Sequence, residues 1–136
     1  LSSMADGTDQ SKLFYYFFRA YLPLTTDKYI FALEALGLVF IAPFVEEFVF
    51  RGFLNNLLRG KVNAFVRMSI VSILFAAIHM PYYIQNWIQF IAYIIISIVL
   101  LLVYERRRSL FDAILLHSLY NGLLVILFIE IPKRFF

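Results

Sequence analysis

The sequence predicts an all-α, polytopic transmembrane helical bundle, with about four spanning helices preceded by an N-terminal interfacial helix. Three observations predict it. Hydrophobic residues make up 62% of the chain and charged residues only 15%, whereas an average soluble domain is roughly one-quarter charged. The stretch Asn86 to Tyr104 runs nineteen residues without a charge, close to the ~20 that carry a helix across the hydrocarbon layer. The other apolar stretches are bounded by helix start and stop signals.

Residues 1–27 read as a polar tail followed by an interfacial helix, 28–130 as a membrane-embedded core and 131–136 as a C-terminal tail. The tail from Leu1 to Gln10 lacks the basic, apolar and small-residue regions of a signal peptide, so an internal segment of a longer chain is expected. Leu13 to Leu24, with Phe14, Phe17 and Phe18 beside Arg19, is too short to span and suits the interface. Lys28 to Leu58 makes one long helix or two, because Pro43 lacks an N–H and crowds the preceding turn. Arg59, Gly60 and Lys61 end it with the cations and the glycine that helix C-termini favour. Asn63 caps a second helix that runs to His79 and stops before Pro81. Asn86 to Tyr104 is the third helix, with Gln85, Asn86 and Gln89 as its wetted start. Ser109 and Asp112 form a capping-box-like pair for a fourth, which runs to about Glu130. Tyr82, Tyr83, Trp87, Tyr104, Phe135 and Phe136 sit near segment ends, where aromatic belts form.

The absence of cysteine removes disulfides, thiolate nucleophiles and zinc–cysteine sites. The net charge of +3 is concentrated in Arg106, Arg107 and Arg108, which suits anionic headgroups and not a nucleic-acid surface. The lipid bilayer is therefore a partner and nucleic acid is not. Loop charges favour a cytoplasmic face for the triple-arginine loop of a multi-pass protein of the cell membrane.

Polar residues inside such helices point to function, since each ionisable group costs about 2.5–3.5 kcal/mol to insert. Glu47 and Arg51, Phe75 and His79, and His117 and Asn121 are each four residues apart, so each pair shares a helix face. Glu46 adjoins the first pair. Carboxylates in a dry pocket can serve as general bases, and imidazole and carboxamide N–H groups can donate to an oxyanion. The inventory is that of a hydrolase. Phe75 reads as packing, Arg67 as a side chain that snorkels to the interface, and Asp112 as a cap.

The motifs Glu-Glu-x-x-x-Arg (Glu46, Glu47, Arg51), Phe-x-x-x-His (Phe75, His79) and His-x-x-x-Asn (His117, Asn121) occur in that order. With Ala42-Pro43-Phe44-Val45 before the glutamates and Ser109-Leu110 before the last helix, they resemble the CAAX protease and bacteriocin-processing family of intramembrane proteases. The resemblance covers roughly Ala42 to Asn121. It implies an intramembrane endopeptidase acting on a membrane-associated or lipidated peptide or protein. In it Glu46 is the general base, His79 helps to hold the attacking water, and His117 and Asn121 line the oxyanion site, with no metal. Glu47 and Arg51 form a supporting ion pair, by spacing as much as by resemblance.

Other readings stay open. Two histidines and two glutamates can hold zinc, although His-Glu-x-x-His is absent. A non-catalytic bacteriocin-immunity or scaffold protein, or a transporter, would also keep charges within the membrane. Counting about 1.5 Å per residue from the cytoplasmic ends puts Glu46 and Asn121 near 18 Å, His117 near 12 Å and His79 near 24 Å. On that count His79 is the outlier.

Overall fold

The computed structural model describes residues 28–80 and 87–135, and the elements it describes there are helical. The expected N-terminal interfacial helix, and Tyr82, Tyr83, Gln85, Asn86 and Phe136, lie outside the described residues. In order come α1 (Lys28–Leu36), a π-helical stretch (Gly37–Ile41), α2 (Ala42–Glu47), a second π-helical stretch (Phe48–Leu54), α3 (Asn55–Leu58), α4 (Ala64–Ile78), α5 (Trp87–Arg107) and α6 (Leu110–Phe135). α6 extends past the expected end at Glu130.

Tyr29 to Leu58 is therefore one helical run of 30 residues with two widened turns. The first widening precedes Pro43, which cannot donate to a carbonyl and whose ring crowds the preceding turn; i→i+5 turns relieve both faults without ending the helix. Asn63 caps α4 as expected, its Oδ1 accepting from Val66 N at 2.9 Å. Gly60 follows α3 at φ 77°, the left-handed conformation that lets a chain leave a helix. Ser109 Oγ accepts from Asp112 N at 3.2 Å, which is half of a capping box. The Asp112 carboxylate turns to Arg107, 3.2 Å away.

The described residues divide into two compact units, 28–41 with 118–135, and 42–80 with 87–117. In the first, Asn121 Nδ2 donates to the Leu38 carbonyl at 2.9 Å. The second is built on α4 packed along α5, around a core of Phe50, Val71, Phe75, Leu101, Tyr104 and Ala113. Gly52 brings the start of α6 close, because a β-carbon there would stand 3.3 Å from Leu110 Cδ1.

Burial is inverted relative to a protein in water. Glu47, Arg51, Asn55, Ser72, Ser97 and His117 are buried, while Leu33, Phe40, Phe65, Ile88, Phe111 and Leu119 are exposed. Hydrocarbon as the solvent explains both halves, since it tolerates exposed leucine and not an unpaired backbone or charge. Tyr29–Leu58, Trp87–Arg107 and Leu110–Leu127 are long and apolar enough to cross a membrane. α4, with 15 residues, reaches only about 22 Å.

Candidate active site

The run through α2 and α3 buries every fourth residue: Pro43, Glu47, Arg51 and Asn55. A pure α-helix turns roughly 40° off such a row at each step. The wider π-turns from Phe48 to Leu54 counter that drift and hold the row on one line.

Glu47 and Arg51 are wholly buried and paired, Arg51 Nη1 lying 3.1 Å from Glu47 Oε1. Such a pair persists in a dry interior only when further hydrogen bonds occupy its remaining donors and acceptors. Arg51 Nη2 donates to the Ser97 carbonyl at 2.8 Å and to Ser97 Oγ at 3.0 Å. Its guanidinium carbon also lies 4.8 Å from the Phe75 ring centre, a cation–π contact. The same Glu47 oxygen takes a hydrogen bond from His117 Nδ1 at 2.8 Å.

Those partners fix the histidine tautomers. A carboxylate oxygen already bonded to Arg51 accepts, so His117 Nδ1 carries a proton. His79 Nδ1 donates to the Phe75 carbonyl at 2.7 Å. Its ring is stacked between Phe75, at 4.4 Å, and Tyr93, at 4.6 Å between centres. Each histidine thus turns Nε2 the other way, toward the same atom: Glu46 Oε2 is 3.4 Å from His79 Nε2 and 3.6 Å from His117 Nε2. That oxygen is itself buried and has no hydrogen-bond partner among the described residues.

Glu46, Glu47, Arg51, His79 and His117 are therefore gathered in one unit, and His79 is not the outlier that depth counting implied. Asn121 belongs to the other unit, where it engages Leu38. Ser97 and Tyr93 were missed by the sequence reading, since a serine and a tyrosine within a nearly uncharged span carry no local signal. Among the described residues, no group of three His, Asp or Glu side chains is placed to hold a metal ion.

Residues 28–123 match the family described as Type II CAAX prenyl endopeptidase Rce1-like. The chain belongs to this family. The Rce1-like match takes in all three motifs, as their resemblance to the CAAX protease and bacteriocin-processing group implied. Among curated proteins, the chain is similar to the UPF0177 protein YxdF of Lactococcus lactis subsp. lactis (strain IL1403), 30% identical over 121 residues, which are 89% of this chain and 58% of YxdF. It is also similar to the UPF0177 protein YaiH of the same strain, 35% identical over 99 residues, 71% of this chain and 39% of YaiH. The chain thus spans little more than half of the first relative and less than half of the second. No solved structure matches.

Proposed function

We propose that this Rce1-like chain carries the catalytic core of an intramembrane endopeptidase of the cell membrane, hydrolysing a peptide bond of a membrane-associated or lipidated substrate with a glutamate-activated water. The observation that supports this reading best is the convergence of two Nε2 atoms on the buried, unpartnered Oε2 of Glu46. With Nδ1 protonated on its ring, His79 presents Nε2 beside the Glu46 carboxylate, so two acceptors face one point, with His117 Nε2 next to them. Only a donor between them satisfies that arrangement, and water has two O–H groups to give.

In the proposed reaction Glu46 takes one proton as the water oxygen bonds to the scissile carbonyl carbon, and His79 holds the other O–H in line. The carbonyl oxygen becomes an oxyanion, which His117 Nε2 stabilises. That role needs a proton on Nε2 as well as on Nδ1. The resulting set of Glu46, Glu47, Arg51 and an imidazolium is electrically neutral. Asn121 is assigned a share in the oxyanion site by its motif. Collapse of the tetrahedral intermediate breaks the C–N bond, and Glu46 returns its proton to the leaving amine. Family membership supports a peptide substrate, and a lipid-facing exterior suits one that arrives through the bilayer.

The test is cleavage read by mass spectrometry, with purified protein offered a prenylated peptide and candidate leader peptides. Wild type should cut at least one of them, and Glu46→Gln, which keeps the shape and removes the base, should lower the rate by about 10²–10⁴-fold. Loss of wild-type activity on chelation, restored by zinc, would replace water activation by Glu46 alone with a metal mechanism. Failure of wild type to cut any peptide would favour a binding protein.

A further inference from the structure

A second polar cluster lies where the row Glu47, Arg51, Asn55 continues to Arg59, and the hydrolytic reading makes no use of it. Its centre is Glu105, in the last turn of the 21-residue α5. Glu105 Oε1 accepts from Asn55 Nδ2 at 2.8 Å and from Arg59 Nη2, and it lies 3.5 Å from Arg67 Nη2. Arg108 Nε is 3.8 Å from Glu105 Oε2.

Three guanidinium groups thus face one carboxylate. Pairing satisfies a single charge, so the cluster keeps an excess of two positive charges. Surface arginines would dissipate such an excess in water, but these are withdrawn to different depths. The Arg67 side chain is 10% exposed, Arg59 28% and Arg108 51%. Nε of Arg67 and Nε of Arg59 are buried without a hydrogen-bond partner, although guanidinium donors in a dry setting are expensive to leave unmet.

Position names the missing acceptor. Arg59 follows the end of α3, Arg67 lies in the first turns of α4, and Glu105 and Arg108 stand at the end of α5, after a span that alone reaches about 31 Å. The cluster therefore sits at the depth of lipid headgroups. The anion found there is phosphate, whose oxygens match the planar fork of a guanidinium.

We propose that Arg59, Arg67 and Arg108, held by Glu105, form a binding site for the phosphate of an anionic phospholipid headgroup. The lipid completes the hydrogen bonding of the buried guanidinium groups and pins the ends of α3, α4 and α5 to the interface. Arg106, exposed and outside the Glu105 network, takes no part.

Native mass spectrometry of the delipidated full chain in detergent tests this, with phosphatidylglycerol, phosphatidylcholine and inorganic phosphate as probes. Phosphatidylglycerol should bind more tightly than phosphatidylcholine. Arg67→Gln and Arg108→Gln should each weaken it about fivefold, the usual worth of one basic side chain near an anionic surface, while Arg106→Gln leaves it unchanged. If Arg67→Gln does not fold, the half-exposed Arg108 decides the matter. Equal binding of the two lipids, or an equal loss in Arg106→Gln, would reduce the site to diffuse surface charge and overturn the proposal. Displacement of phosphatidylglycerol by millimolar inorganic phosphate would overturn the lipid assignment in favour of a soluble anion.

Discussion

Truncating Glu47 to alanine would leave the Arg51 guanidinium wholly buried beside Ser97 and Phe75 without its paired carboxylate. Breaking one side of a buried ion pair costs about 3–5 kcal/mol, so Glu47→Ala should melt far earlier than wild type by circular dichroism in mild detergent. Replacing both members with leucine removes the stranded charge, and that double variant should be more stable than either single truncation. It will not regain everything, because His117 Nδ1 also spends its proton on Glu47. Tyr93 offers a second test at this scale. Its ring covers the face of His79 opposite Phe75, so Tyr93→Leu should loosen the imidazole and lower kcat with little change in KM, while Tyr93→Phe restores the rate. The ion pair of Glu47 and Arg51 was legible in the sequence because four-residue spacing is local information. The roles of Ser97 and Tyr93 were not, because they depend on which helix packs against which.

At the scale of elements, helix ends were the most readable feature, since a cap is chemistry between neighbours. Asn63→Ala removes the acceptor for Val66 N and should cost about 1 kcal/mol of stability, with Asn63→Asp nearly neutral; the same melting measurement separates the two. Other features waited on packing. Of the two arrangements the sequence left open for Lys28 to Leu58, the structure has the single run, with a widened turn beside Pro43. Arg67, expected to snorkel to the interface, lies 3.5 Å from the Glu105 carboxylate at the end of α5. Gln89, expected in water at a helix start, is 2% exposed. The partners of Arg67 and Gln89 could not be read from the chain, because hydropathy does not specify which face of an apolar helix meets protein.

At the scale of the whole molecule, composition predicted a membrane fold because length and apolarity are summed properties, robust to errors at any one residue. The short helix α4 is the feature that sum leaves undecided. At about 22 Å it falls short of the ~30 Å hydrocarbon layer, and a helix that turned back before crossing would send the loops around Gly60 and Ser109 to opposite faces. The Glu105 network favours the crossing topology. Arg59, from the first loop, and Arg108, from the second, both reach the same carboxylate, so the two loops lie together, which predicts that α4 crosses a locally thinned bilayer. Because the chain contains no cysteine, single cysteines can report this directly. Cysteine placed at Gly60 and at Ser109 should react with a membrane-impermeant maleimide from the same side, the cytoplasmic side by the weight of arginine there, and cysteine at Lys28 from the opposite side. Labelling of Gly60 and Ser109 from opposite sides would mean that α4 does not cross and that the ion network around Glu105 does not form in the membrane.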